Sequence, residues 1–308
     1  MYFTFIRIYY LFKSFLDKIP LHSRGLIYIS FTAFLWSSSG LFIKVLTLDA
    51  FQISFYRCLF AAITVTIVTL IREKKIKLET DLISNLAALS YAGILIFFVI
   101  ATKMTTAANA IFLQFTAPFY LLFLEPIFLK TSFSKKNLIT IFVCVFGMIL
   151  FFFGRLEVGS IYGNLIAILS GMCFALFSLF LKWKKQLHKS VNTISILIVG
   201  NFLVSIICLP IVFDRLLVGL TETLILIYMG AVQIGISYII FNEGIKYVSA
   251  TESMIIAMLE AIFNPIWVFM GVGEKPSVFA VIGGIIIFFA IVLHNVLSRR
   301  KDKVLIIE

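Results

Sequence analysis

The chain is 308 residues long, 61% of them hydrophobic and only 13% charged, with 34 Phe and a formal net charge of +11. A soluble domain carries about 25% charged residues, and a folded globule leaves much of its surface outside whatever its composition. A soluble globule is therefore excluded. So is a single anchor with a soluble head, because apolar runs recur from residue 26 to residue 297 and no hydrophilic stretch between them is long enough to fold.

In residues 1–24, Phe5, Ile8, Tyr9, Phe12 and Leu16 fall at helical spacing. This fits either a short interfacial helix on the inner leaflet or a leader with no role. Arg7 and Lys13 interrupt what would be the apolar core of a secretory signal, so a cleaved signal is not expected. Beyond them, a hydrocarbon layer about 30 Å thick asks for about 20 apolar residues per helix. Cutting the chain at charge clusters and turn residues gives ten such pieces, over residues 26–46, 51–71, 82–103, 105–129, 137–154, 160–182, 191–212, 222–246, 250–271 and 277–297. Barrel strands need about half that length and strict alternation, so helices are expected.

Charge gives an independent check on ten, because cytoplasmic loops hold an excess of Lys and Arg. With the N-terminus inside, the inner segments hold 20 of the 26 Lys and Arg. The outer ends keep Lys44, Arg57, Lys103, Arg155, Arg215 and Lys275, most of them beside acids such as Asp49, Glu157, Asp214 and Glu274. The expectation is a multi-pass protein of the cell inner membrane with both termini cytoplasmic. The positive charge then serves topology and anionic lipid heads, and nucleic acid is not a needed partner.

Ten spans divide into five and five around Leu156 to Ser160, and an odd number per half inverts the second half. The fold class expected is thus an all-α integral membrane protein, its ten transmembrane helices arranged as two inverted five-helix repeats. The divisions are a cytoplasmic leader over 1–24, the first repeat over 25–154, the second over 160–297 and a basic cytoplasmic tail over 298–308. Phe34, Trp36, Ser37 and Lys44 align faintly with Met172, Phe174, Ala175 and Lys182 at a constant offset. Inverted repeats with a site near the bilayer midplane are typical of secondary transporters.

Polar residues in the middle of a span are informative, since a charge there costs about 2.5–3.5 kcal/mol or more. Glu260 falls near the centre of the ninth span, with Asn264 one turn on; Gln114 lies in the fourth, Gln233 in the eighth, Tyr91 in the third and Trp36 in the first. Together they outline one substrate-binding cavity. Glu260 has two readings: a carboxyl that exchanges a proton or faces an ammonium group on the cargo, or a neutral acid hydrogen-bonded to Asn264 or a backbone carbonyl. Glu260, Glu243 and Glu125 are the gate or coupling candidates, the last two nearer the cytoplasmic ends, where solvation or helix-end roles compete. Arg57 and Lys44 read as outer-surface charges that pair with Asp49 or snorkel, with attraction of anionic cargo as the minority reading. Pro118 and Pro265 mark helix breaks beside the cavity. Gly163, Ala167, Gly171 and Ala175 make a flat face on the sixth span, which suits an internal partner better than a homodimer contact.

Enzymatic roles find little support. Cys58, Cys144, Cys173 and Cys208 lack metal or disulfide spacing, and His22, His188 and His294 are far apart in sequence. Gly230 and Gly235 have phosphate-loop spacing, but Ile236 stands where the lysine belongs. No metal or cofactor is expected, proton coupling aside.

The run Ser249-Ala250-Thr251-Glu252-Ser253, continuing to Leu259-Glu260-Ala261-Ile262-Phe263-Asn264-Pro265-Ile266-Trp267 and then Gly273-Glu274-Lys275-Pro276, resembles the EamA-type branch of the drug/metabolite transporter superfamily. Thr106-Ala107-Ala108, Thr116-Ala117-Pro118 and Arg57 are a weaker counterpart in the first half. Two positions depart from that pattern: Ala261 replaces a proline and Thr131 a glutamate. The resemblance implies a secondary active transporter that moves a small metabolite, such as an amino acid, an amine or a related compound, by alternating access. A lipid or amphiphile flippase is the alternative, and the oligomeric state is a monomer or a homodimer.

Overall fold

The computed structural model describes residues 19–151, 153, 160–187, 193–272 and 277–304, apart from side chains at 108, 264–266, 268, 269, 271, 272, 295 and 297–304. Residues 1–18 of the leader expected over 1–24, Arg155 and Glu157 in the stretch 154–159, His188, Glu274 and Lys275, the Asn264 side chain, the side chains of the tail at 298–304 and the whole of 305–308 therefore lie outside what is described. Among the described residues all regular structure is helical. The helices are α1 (Leu21–Trp36), α2 (Ser39–Val45), α3 (Ala50–Glu73), α4 (Leu82–Met104), α5 (Ala107–Gln114), α6 (Ala117–Leu129), α7 (Lys135–Phe151), α8 (Ile161–Leu187) and α9 (Ile194–Val212). They continue with α10 (Leu220–Tyr228), a π-helical stretch over Met229–Ile236, α11 (Ser237–Gly244), α12 (Ala250–Ala257), α13 (Leu259–Val272) and α14 (Val278–Val304).

Among the described residues, seven helical stretches are long and apolar enough to cross a membrane: Leu21–Val45, Ala50–Glu73, Leu82–Met104, Asn109–Leu129, Ile161–Leu187, Ile194–Arg215 and Leu220–Gly244. The other three expected spans fall on α7, 17 residues long, on the interrupted pair α12–α13, and on α14, whose apolar part is the shorter Val278–His294. Large side chains such as Phe31, Phe123, Phe142, Phe146, Phe288 and Phe289 are exposed on the flanks. An apolar exterior of this kind calls for lipid as the surrounding medium.

Helix starts follow capping chemistry. Asp49 accepts from the Phe51 and Gln52 amides and opens α3, and Asp81 accepts from the Ser84 amide and opens α4. Lys74 and Lys130 close α3 and α6 in left-handed conformation, at φ 58° and 52°.

Two helix pairs repeat one design. The Thr106 hydroxyl accepts from the Asn109 amide at 3.0 Å and opens the eight-residue α5; the Ser249 hydroxyl accepts from the Glu252 amide at 3.0 Å and opens the eight-residue α12. Each short helix ends in a tight turn of i→i−3 bonds, Thr116 to Leu113 and Phe119 to Thr116 in one, Met258 to Ile255 and Ala261 to Met258 in the other. Pro118, second residue of α6, cannot donate to Gln114 and so favours the first break. The second break falls at Met258, and α13 runs on through position 265. The expectation of a break at Pro265 is thus corrected: the tight turn at Met258 does the work without a proline. A third discontinuity divides α1 from α2, where the Ser37 and Ser38 hydroxyls bond back to the Phe34 and Leu35 carbonyls at 2.6 and 3.3 Å and compete with the helix ladder.

Packing interleaves the two halves of the chain. The most extensive contacts join α4 to α8, α3 to α9 and α7 to α14. Gly147 and Gly283 let α7 and α14 approach until a Cβ built at Gly283 would sit 2.4 Å from the Gly147 carbonyl oxygen. The small-residue face of α8 is likewise internal: a Cβ at Gly163 would meet the Thr105 nitrogen at 3.0 Å, and one at Gly171 the Gln114 carbonyl oxygen at 2.6 Å.

Candidate binding site

Discontinuities in the helices converge on one cavity of about 30 Å³. Its lining comprises Trp36 at the end of α1, Ser39 at the start of α2, Arg57 of α3, Ile94, Leu95 and Phe98 of α4, Gln114 at the end of α5 and Phe174 of α8. The π-helical stretch adds Gln233 and Ile234, α11 adds Tyr238, and the first turn of α13 adds Glu260. Broken and π-helical backbone is tolerated inside a membrane protein where it is buried in protein or borders a cavity. A carboxylate in the first turn of α13 also faces the positive end of that helix.

Four residues singled out from the sequence, Trp36, Gln114, Gln233 and Glu260, do line this chamber. Trp36 donates from Nε1 to the Ser237 hydroxyl at 2.8 Å, and its ring packs against Tyr238, Phe241 and Phe174 at centroid distances of 4.7–5.5 Å. Gln114 donates to the Ser170 hydroxyl at 3.0 Å, and Gln233 donates to the Ser38 hydroxyl at 2.9 Å. Glu260 is 4% exposed, and its carboxyl has no hydrogen bond or ion pair among the described residues.

Tyr91 is placed elsewhere. Fully buried, it accepts from the Asn201 amide at 3.1 Å and touches Tyr238 and Phe177 at 4.7 and 5.0 Å, which makes it a support behind the wall. Glu125 is also buried but lies at the far end of α6, accepting from the amides of Ala250 and Thr251. Glu243 pairs with Lys246 at 2.6 Å, 32% exposed. Neither borders the cavity.

Ser39 and Tyr238 were not among the residues selected from the sequence, and Arg57 was read there as an outer-surface charge, with attraction of anionic cargo as the minority reading. Arg57 lies seven residues into α3, about 10 Å along the helix by rise, and is 2% exposed. The Asp49 carboxylate pairs instead with Arg215 at 2.9 Å. The available signal was an arginine two turns inside an apolar run, too deep for a helix end.

Outside this chamber, ionic and polar contacts gather at two ends. At one, Asp49 meets Arg215, Lys44 donates to the Thr105 carbonyl at 2.9 Å, and Asn109 and Thr105 both reach the Asn164 side-chain oxygen. At the other, Lys184 pairs with Asp81, Lys185 donates to the Asn242 side chain at 2.9 Å, and His22 meets Glu252 at 3.0 Å, with His294 3.8 Å from the same carboxylate. No group of three or more metal-ligating side chains occurs among the described residues.

The model of the EamA-like transporter family matches this sequence twice, over residues 23–153 and 161–296. The chain belongs to the EamA-like transporter family. An uncharacterized transporter of Archaeoglobus fulgidus is 24% identical over 285 residues, covering 86% of this chain and 95% of that protein. One of Clostridium kluyveri is 26% identical over 310 residues, covering 91% and 94%. A protein crystal structure at 16% identity superimposes with a TM-score of 0.73 over 89% of this chain and 98% of the other, a likeness of fold. This EamA-like protein is thus a membrane-embedded, multi-pass helical protein, and its family and the names of its relatives indicate a transporter rather than an enzyme.

Proposed function

We propose that this EamA-like protein is a secondary active transporter that carries a small metabolite, an amino acid, amine or related compound, by alternating access through the cavity bordered by Glu260. The observation that carries the reading is the convergence of broken helices on a buried chamber with polar side chains, an arrangement suited to a transporter's central site. Trp36, Gln114, Gln233 and Glu260 contact the cargo; Asn264 is proposed to join them, and Tyr91 holds the wall in shape.

In the same reading the chain crosses the cell inner membrane ten times as two inverted five-helix repeats, 25–154 and 160–297, with both termini cytoplasmic. The double family match supports a duplication, and the matching caps and tight turns of α5–α6 and α12–α13 support pseudo-equivalence. So do the contacts at the two ends, which join helix termini as ten alternating passes require. No metal or organic cofactor takes part. The protein works as a monomer or homodimer, since the small-residue face of α8 is occupied internally and leaves dimerisation to other surfaces.

Because α5–α6 and α12–α13 each carry a tight turn beside the cavity, these turns are the proposed hinges, and they let one end open while the other stays joined. Glu260 is the proposed coupling group, gaining a proton on one side and losing it on the other. Uptake of a metabolite panel into proteoliposomes, with and without an imposed pH gradient, tests this. Gradient-driven uptake by the wild type, lost in Glu260→Gln, is expected; equal rates in both conditions or an unimpaired variant would remove the proton-coupling role. Absence of uptake or exchange for every water-soluble metabolite, with lipid translocation instead, would replace the reading by a flippase.

A further inference from the structure

We infer that Arg57 is the anion anchor of the cavity and that the cargo carries a carboxylate which binds there. The inference rests on the transporter reading and narrows it, since it excludes simple amines as the principal cargo.

Arg57 borders the chamber yet is 2% exposed, and its Nε and Nη1 atoms are buried without a hydrogen-bond partner. Buried guanidinium groups are ordinarily paired, because a charge taken out of water costs far more than a neutral polar group unless something neutralises it. The acid nearest the start of its helix, Asp49, is engaged with Arg215. Glu260 borders the same cavity but makes no ion pair with Arg57 among the described residues. The Cys58 thiol, next in the chain, is only a weak acceptor. Donors left open on the wall of a cavity are complementary to an acceptor that arrives with the cargo. A carboxylate suits them best, since a guanidinium presents a planar fork that matches its two oxygens.

The remaining lining fits the rest of such a molecule. Gln233 is fully buried and its Oε1 has no partner, so an acceptor is available for an N–H or O–H of the cargo. Glu260 offers a negative group, and Trp36, Phe98 and Phe174 give an apolar wall. The position of Arg57 is also fixed from behind: a Cβ built at Gly230 would come 2.6 Å from the Arg57 carbonyl oxygen, so the π-helical stretch presses directly on this turn of α3.

The test uses purified full-length protein and three probes on one skeleton, alanine, propionate and ethylamine, at constant ionic strength. Two readouts bear on Arg57. In thermal melts without probe, Arg57→Gln should melt at or above the wild-type temperature, because an unpaired buried charge is removed; a fall of 5 °C or more would show a structural role and overturn the inference. In melts with probes, alanine and propionate should stabilise the wild type and ethylamine should not, with the carboxylate effect weakened at least tenfold in Arg57→Gln and partly kept in Arg57→Lys. Equal stabilisation by ethylamine, no stabilisation by either carboxylate, or an unchanged response in Arg57→Gln would each overturn it. Proteoliposome uptake separates the two levels. Carboxylates that stabilise but never cross would sink the transporter reading and leave the anchor standing. Amine uptake unaffected by Arg57→Gln would do the reverse.

Discussion

Glu125, near the end of α6, caps a helix 125 residues further along the chain: its carboxylate accepts from the Thr251 amide at 2.8 Å and hydroxyl at 2.5 Å, and from the Ala250 amide at 3.0 Å. A side-chain cap normally comes from the residue just before a helix, and Ser249 already fills that place on α12. Glu125 therefore ties the broken helix α5–α6 to the start of α12 at one end of the molecule. Glu125→Ala leaves buried N–H groups without an acceptor and should cost about 1–3 kcal/mol, seen as a lower melting temperature, with Glu125→Gln retaining part of the loss. An unchanged melt in both variants would contradict this role.

His22 and Glu252 form the second tie at the same end, at 3.0 and 3.1 Å, between α1 and α12. His294 stands 3.8 Å from the same carboxylate and shares its ring Nδ1 with the Thr140 hydroxyl at 2.9 Å, which brings in α14 and α7. A double-mutant cycle on His22→Ala and Glu252→Ala should give a coupling energy of about 1 kcal/mol, within the range for groups in direct contact. Additive effects would mean that the contact contributes nothing of its own.

Asp81 supplies the pH dependence. Burial pushes its carboxyl up, but the Lys184 ammonium and the bonds from Ser84 pull it down further, to about 2 from an ordinary 3.8. A folded value below the unfolded one means that the stabilisation is fully present above about pH 4 and is lost as pH falls toward 2. The melting temperature of the wild type should therefore drop more steeply over that window than that of Asp81→Asn. Parallel curves would show that the Asp81–Lys184 pair does not contribute.

Gly283 tests the close approach of α7 and α14. A methyl group there would lie 2.4 Å from the Gly147 carbonyl oxygen and 2.5 Å from the Phe151 nitrogen, both backbone atoms that cannot rotate aside. Gly283→Ala should destabilise by about 1–3 kcal/mol, the usual cost of overpacking, and Gly283→Leu should abolish the monodisperse peak in detergent gel filtration. Gly284→Ala is the control, because the nearest atoms to its Cβ lie at 3.6 Å or beyond.

The helical class was legible because run length and scattered charge in lipid leave few other solutions. Trp36, Gln114, Gln233 and Glu260 were legible because each is a conspicuous residue in the middle of an apolar run. Depth along a run says nothing about which way a side chain turns, so Tyr91, at a similar depth, went unrecognised as a partner of Asn201 on α9. Arg57 was read as an outer-surface charge because it falls in the outer half of its run, whereas it is 2% exposed and borders the cavity. The break at Met258 left no sign because its tight turn needs neither proline nor glycine.

The interleaving of the two halves bears on how the protein is made. Helices α3, α4 and α7 have their broadest contacts with α9, α8 and α14, so the first half enters the bilayer before its proper neighbours have left the ribosome. Until then its glycine faces and buried polar groups stand against lipid or against one another. Biogenesis thus includes a waiting period that ends only when α14 emerges to cover Gly147, and a chain severed between the halves would regain its shape only if both pieces were synthesised in the same membrane.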